Sequence, residues 1–439
     1  MLWALFFGFA FVILNIPKIE PIWEFFSDCR DYKGQSRYSL FSMSFYAPVS
    51  SPVFAPRPFT IPLFYKMVGT DEYRIVIMQK VVYCLCSLLF VRSTLGFIKS
   101  SLVRIILAAS LFFFFTWWNI VGWSDNLLSE SLSMSMMFLW FAAILFFIRK
   151  QSLSSLVILA IVGFFFSFTR DTWPYIILFT YLVLFAFFYR RERIMRLRLL
   201  GLCLFAVGTF FFQQYTADVG ERYKLPVFNS IAERISKNQE YLDWFRQRGM
   251  PQADQLVKDF GSIHIDTRPG QAFIYKRYED STYTALFNWV VKDGKSVYTT
   301  FVITHPAYFF MMDQSAQERA RIFSVGDTKY TLREAGFYAN AGNVFPLFNS
   351  WLILGLLLVL VLIYRQWNPS LHLLFPALIC LACIVNVYLS YNADALEVER
   401  HLFITQIILE VIGIVSVCSI LDAMILRFSK RPPSPLNPA

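Results

Sequence analysis

Long apolar runs separated by short charged breaks make up most of this chain, and two polar stretches interrupt the pattern. A helix that crosses a hydrocarbon core needs about 20 mainly apolar residues. By that measure the runs near 2–16, 75–91, 103–118, 128–148, 153–169, 172–189 and 199–213 predict seven spans, and those near 350–364, 371–390 and 402–426 predict three more. The expected fold is an all-α polytopic membrane protein with about ten transmembrane helices. The first run, "MLWALFFGFAFVILNIPK", lacks the basic start and small-residue cleavage site of a secretion signal, so it reads as a retained span, short enough to need tilt or local thinning.

The breaks after the even-numbered spans hold Arg92, Lys99, Arg149, Lys150, the run "RRERIMRLR" at 190–198, Arg365 and Arg427. Short loops that carry Lys and Arg stay cytoplasmic, which puts both termini there and the polar stretches 17–74 and 214–349 on the extracytoplasmic side. The opposite short loops carry only Arg170 and Arg400, whereas the first outer loop breaks the bias with Lys18, Arg30, Lys33, Arg37, Arg57 and Lys66. Charges placed against a targeting bias invite a functional explanation. The organisation expected is a seven-span module at 1–213 that includes outer loop 17–74, an extracytoplasmic, mainly helical domain at 214–349, three spans within 350–426 and a cytoplasmic tail at 427–439.

Within the second polar stretch, Ile231, Ile235, Tyr241, Trp244 and Phe245 recur at roughly helical spacing, and the "GMP" at 249–251 ends that helix. Further on, "STYTALFNWVVKDGKSVYTTFVITHPAYFFMM" is rich in Trp and Tyr and reads as helices along the membrane surface. His305, before a Pro, reads as a helix start.

Composition changes the picture little. The chain has 439 residues, of which 56% are hydrophobic and 16% charged, and its formal charge of +10 gathers in loops that flank spans. That distribution fits anionic lipid and argues against nucleic acid as a partner. Of seven Cys only Cys29 stands clear of the spans, so no disulfide framework is available to the polar stretches. Cys380 and Cys383 lack other ligands nearby and read as packing. No Walker loop, zinc signature or dinucleotide fingerprint is present. The chain also lacks an Asn-X-Ser/Thr acceptor with a permissive middle residue, and a bacterial inner membrane is the expected location.

The chemistry-bearing residues collect at the expected outer face. They are Asp28, Asp31 and Arg57 in the first outer loop, Asp125 and Glu130 in "WSDNLLSES", Arg170 and Asp171 in "FTRDTW", and Glu397, Glu399, Arg400 and His401 in "DALEVERH". Any one of them is ordinary as a solvated loop charge. Together, carboxylates that can take a proton from a hydroxyl and arginines that can grip a phosphate suit a site for an anionic lipid headgroup. Lys80, near the outer end of the second span, reads as snorkelling to the interface. Glu410, inside the last span, is either a functional acid or one satisfied by hydrogen bonds within the bundle.

"SDCRDY" soon after the first span, "APRPFTIPLFY" after it, and "SDNLLSES" at the outer end of the fourth span together resemble the polyprenyl-phosphate-sugar-dependent glycosyltransferases of the GT-C fold, such as protein O-mannosyltransferases and lipid A aminoarabinose transferases. The resemblance covers the first seven spans. It implies an inverting displacement in which Asp28 serves as catalytic base, with Asp31 an equally reachable acid, Tyr32 supporting the loop, Arg57 on the donor phosphate and Asp125 as the acid of the second outer loop. From their outer position Arg170, Arg400 and His401 join the donor-phosphate set, and Glu130, Glu397 and Glu399 the supporting or acceptor-binding set. The chain departs from those families in carrying its polar domain between the seventh and eighth spans. The sequence singles out no cofactor and leaves metal dependence open, since a pair of acids such as Asp28 and Asp125 could hold a divalent cation. The expected partners are a polyprenyl-phosphate-linked sugar, an envelope glycan or lipid-linked acceptor, and membrane lipids. Two other readings stand beside it: an O-antigen polymerase or ligase type of transferase that uses a diphosphate-linked glycan, and a secondary transporter or flippase. The last ranks below the others because its ionisable groups would lie within spans.

Overall fold

In the computed structural model, residues 27–46, 56–116, 118–189, 192–265, 268–278, 280–312, 371–395 and 398–429 are described, with Gly8 and Ala10. All regular elements among them are helical. The first polar stretch contributes α1 (Ser27–Gln35) and α2 (Thr60–Val68). The bundle follows as α3 (Glu72–Leu95), α4 (Ser101–Thr116), α5 (Ser129–Lys150), α6 (Leu153–Ser167), α7 (Trp173–Phe188) and α8 (Arg193–Val219). The second polar stretch adds α9 (Lys224–Ser230), α10 (Gln239–Arg246), α11 (Ala253–Phe260), α12 (Arg268–Arg277), α13 (Thr284–Trp289) and α14 (Lys295–Thr304). Then α15 (Leu371–Ala393) and α16 (Val398–Ser429) complete the bundle. The expected spans at 350–364 and, apart from Gly8 and Ala10, 2–16 lie outside the described residues.

Four of these helices, α3, α5, α8 and the Leu426-terminated part of α16, are long and apolar enough to cross a membrane, and shorter apolar helices accompany them. The chain is an integral membrane protein. Local chemistry sets the helix limits. Asp71 caps α3 by accepting from the Arg74 amide at 2.9 Å, and Ser152 with Ser155 forms a capping box that starts α6. The start of α4 is capped from far along the chain, because the Lys99 and Ser100 amides donate to the Asp422 carboxylate of α16 at 3.0 and 2.6 Å.

Helix α5 is the hub of the bundle. Its apolar window is 83% buried, against 28% for α8, so α5 is enclosed by protein on nearly all sides while α8 turns most of its surface outward. Phe138 of α5 meets Phe115 of α4 at 4.7 Å and Phe90 of α3 at 5.9 Å between ring centroids. Trp140, on another side of α5, donates to the Tyr181 hydroxyl of α7, which donates in turn to the Leu159 carbonyl of α6 at 2.9 Å. Gly163 makes room for that hydroxyl, since any Cβ there would collide with it.

A second core, separate from that of the bundle, gathers Phe228, Ile231, Phe245, Phe260, Tyr283, Leu286 and Phe301 from the second polar stretch. The helix expected across 231–245 is divided: Ile231–Ile235 forms a π-turn, and α10 begins afresh with Asn238 capping the Tyr241 amide. Asn can satisfy an orphan amide at a helix start, which favours a break here. Gly249, at φ +81, ends the segment where the sequence places a stop. His305 stands at the start of the turn at Pro306–Phe309, as its place before Pro suggests. Of the aromatic residues in the stretch after residue 281, Trp289, Tyr298 and Phe301 face the second core. This core is fastened to the end of α15 by Arg234, which donates to the Tyr391 carbonyl at 2.5 Å, by Asn229 on Asp394 and by Tyr298 on the Asn392 carbonyl.

Filling the notch at residue 163 tests the packing of α5 to α7. Gly163→Leu should displace the Tyr181 hydroxyl and cost about 1–3 kcal/mol as overpacking, read as a lowered thermal midpoint in detergent, whereas Gly201→Leu, at a position open on all sides, should leave it unchanged.

Candidate functional site

At the end of the bundle where α3, α5, α7 and α16 begin, the helix ends and the loops between them carry most of the buried charge. The tightest feature is the hold of α3 on the loop before α5. Lys80 has no exposed surface, and its ammonium lies 2.8 Å from the Asp125 carboxylate. Beside it, the Gln79 amide donates to the Ser124 and Asn126 carbonyls at 2.8 and 3.0 Å. Two neighbouring side chains thus grip three consecutive residues. Lys80 does not snorkel, because its charge is neutralised in place by Asp125. Burial pushes the Asp125 carboxyl up to about 6, against the opposing pull of the Lys80 ammonium and its hydrogen bond. That ammonium also opposes any divalent cation at Asp125.

Next to this clamp, α1 and α2 bring Asp31 and Arg57 together. Arg57 donates through Nε and Nη2 to one oxygen of Asp31, at 3.2 and 2.9 Å. Gln35 fixes the arginine's backbone from both sides, accepting from its amide at 2.7 Å and donating to its carbonyl at 2.9 Å. Tyr32 lies under the guanidinium, 5.9 Å from its central carbon, and Tyr65 meets the Tyr32 ring edge-on at 6.2 Å. The Tyr65 hydroxyl is buried and has no hydrogen-bond partner among the described residues. Burial first, then the neighbouring Cys29, Tyr32 and Glu130, hold its pKa well above the ordinary phenol value, so it stays a proton donor at neutral pH.

Glu130, in the first turn of α5, is fully buried. It meets Arg170 Nη2 at 3.4 Å, and the same Nη2 lies 2.7 Å from His401 Nδ1 in the first turn of α16. An arginine is always protonated, so Nδ1 must accept, and the imidazole in this contact is neutral with its proton on Nε2. Trp123 packs on Phe403 at 5.1 Å, and Thr60 donates to the Phe168 and Phe165 carbonyls at 3.1 and 2.8 Å. The two contacts join the loop before α5 to α16 and the start of α2 to the end of α6.

The structure therefore brings Asp31, Tyr32 and Arg57 into one group and Glu130, Arg170 and His401 into another, with Tyr65 near both. Asp171 turns elsewhere, accepting from Arg222 and from Gln213 of α8, and so ties the α6–α7 turn to the second polar stretch. Asp28 lies in α1, and Glu399 and Arg400 in the first turn of α16, but their side chains are outside the described ones, as is Glu397 altogether. Glu410 is buried and its Oε1 has no partner among the described residues. Among the described residues no cluster of three or more His, Cys, Asp or Glu could hold a metal ion. Sequence reasoning passed over Gln35 and Tyr65. Neither carries a charge, and the placing of Tyr65 at the end of "APRPFTIPLFY" was the only signal for it.

Taken as chemistry, the site offers two guanidinium groups, each held by a carboxylate and so pre-oriented, a buried phenol donor and a neutral imidazole. Such donors suit a phosphate, and the carboxylates suit a proton taken from a hydroxyl. A scan against protein-family models finds no family that matches the chain, and a search of curated proteins finds no matching relative.

The clamp on the loop has a checkable sign. Removing the cation should strand the buried carboxyl, so Lys80→Met should cost about 3–5 kcal/mol, while Lys80→Met combined with Asp125→Leu should recover most of the loss. Because the folded pKa of Asp125 is raised, the stability this carboxyl contributes is complete below its ordinary value near 4 and is lost as pH rises through about 6. Unfolding midpoints of the wild type should then fall between pH 4.5 and about 7 relative to the double variant, which lacks the titrating group.

Proposed function

We propose that this protein is an integral membrane glycosyltransferase that moves a sugar from a polyprenyl-phosphate donor to an extracytoplasmic glycan or lipid-linked acceptor. The observation that carries the reading is the pair of carboxylate-held arginines, Arg57 on Asp31 and Arg170 on Glu130, at the same end of the bundle. A lipid phosphate reaching that end meets donors already oriented for it, and it can approach sideways from the hydrocarbon without leaving the membrane. In this reading Asp28 or Asp31 takes the proton of the acceptor hydroxyl as that oxygen attacks the anomeric carbon. The bond from that carbon to the lipid phosphate oxygen breaks with inversion, and the charge that develops on the leaving phosphate falls to Arg57 and Arg170. Tyr65 supplies a further proton donor beside Tyr32. The end bearing the site is extracytoplasmic, both termini are cytoplasmic, and the second polar stretch would cover the acceptor.

Two features support the base being Asp28 rather than Asp31. Asp31 is only 6% exposed and one of its oxygens already accepts two hydrogen bonds from Arg57. Asp28 stands one helical turn before Asp31 on α1, a geometry that puts both on one face. Asp31 then serves as the holder of Arg57.

A second reading gains from one contact. The Arg170 pairing with His401 gives an Arg and His set of the kind suited to a diphosphate-linked glycan donor.

Purified protein in vesicles, supplied with lipid-phosphate and lipid-diphosphate sugars in separate assays, tests both. Transfer from the monophosphate donor, lowered about 10²-fold or more in Asp28→Asn with the thermal midpoint kept, supports the proposal. Undiminished turnover in both Asp28→Asn and Asp31→Asn removes the carboxylate mechanism, and turnover with the diphosphate donor alone moves the assignment to the second reading.

A further inference from the structure

We propose that the turn at 38–46 and the tip of α2 form a wedge seated in the lipid bilayer, with Phe41, Met43 and Met67 among acyl chains and Arg37 and Lys66 on anionic headgroups. Phe41 is 99% exposed, Met67 78% and Met43 61%, which for large apolar side chains in one loop region is a cost that water does not repay. The exposure does not come from a slack loop. Ser42 caps the Met43–Phe45 turn, whose backbone closes through Phe45 to Ser42 and Tyr46 to Met43 hydrogen bonds of 3.0 and 2.9 Å. Phe45 is fully buried and anchors the turn in a cluster with Phe59 and Phe168. A rigid, anchored turn holds Phe41 outward.

The second arm of the wedge is fixed to the first. Lys66 of α2 donates to the Tyr38 carbonyl at 2.9 Å and is itself exposed, so its two other protons remain directed to the surroundings. Arg37 is exposed as well. The acids next along the chain are engaged elsewhere, Asp71 in capping α3 and Glu72 with Lys33 at 2.6 Å. Cations beside apolar tips match the boundary between anionic headgroups and hydrocarbon.

Continuity with the outward surface of the bundle selects lipid over another protein as the occupant. The anchor cluster runs on through ring contacts, Phe168 to Phe212 at 5.4 Å and Phe164 to Phe205 at 6.0 Å, onto α8. There Phe205, Phe211 and Phe212 are exposed on the helix that is least enclosed of the four long ones. The wedge therefore extends the lipid-facing side of α8 toward the helix ends.

A nitroxide at Phe41→Cys in vesicles of phosphatidylcholine and phosphatidylglycerol reads the placement directly, and Met67→Cys repeats it on the other arm. The seven native thiols are all buried, so background labelling is low, and Asp254→Cys at a 95% exposed side chain is the aqueous reference. Labels at 41 and 67 should relax more with oxygen than with a water-soluble nickel complex, the reverse of 254, and Arg37→Gln with Lys66→Gln should make the label at 41 shallower. Nickel accessibility equal to that at 254 would overturn the proposal. So would dipolar broadening between labels, which marks a second copy, or protection from both relaxants, which marks a protein partner.

Discussion

A lysine with no exposed surface, placed within a membrane bundle, constrains everything around it. Lys80 needs an anion in reach, and the loop before α5 has to come to it with Asp125. Gln79, one residue earlier, takes the carbonyls on either side, so the loop is held by charge and by amide geometry together. The loop leads directly into α5, the most enclosed helix of the bundle, and its hold on α3 fixes the height at which α5 begins. Glu130 sits in that first turn, and through it Arg170 and His401 take their places. A displaced loop would carry Glu130, and with it the Arg170 and His401 contacts.

The energetics of this arrangement point toward position rather than stability. Burial raises the Asp125 carboxyl despite a lysine at 2.8 Å, so for this carboxyl the cost of leaving water outweighs the lysine's attraction. An apolar pair of similar volume would hold the helices as well. What the ion pair adds is register, because only one arrangement of loop and helix satisfies it. The same logic recurs in Asp31 with Arg57 and Glu130 with Arg170, where each carboxylate sets the direction of a guanidinium. Nearby, Asp171 with Arg222 uses the pattern for a different purpose, joining the bundle to the second polar stretch.

The spans were legible from sequence because length and apolarity alone define them, and α3, α5, α8 and α16 fall where the runs place them. Charge clusters were legible as clusters. Their pairings were not, since Arg170 and His401 are 231 residues apart and Lys80 and Asp125 lie on different elements. Lys80 read as a snorkelling residue because a lysine near a span end ordinarily reaches water, and only the fold shows an acid closer than the interface. Tyr65 and Gln35 left little trace because their roles come from burial and from backbone contacts, neither of which residue type discloses. In the aromatic run after residue 281, Tyr283, Trp289, Tyr298 and Phe301 pack in one core with Phe228 and Phe245, partners that composition does not name. Composition does not say which apolar surface an aromatic residue will find first.

The carboxylate-held arginines are proposed as a seat for a lipid phosphate. The most direct measurement is an electron cryomicroscopy map of the protein in nanodiscs loaded with a non-transferable polyprenyl phosphate. Phosphate density within hydrogen-bonding distance of Arg57 or Arg170, with the chain leading out between helices into the bilayer, is the expected result. A phosphate bound at another end of the bundle, or lipid density that leaves both arginines in contact with protein alone, would contradict it.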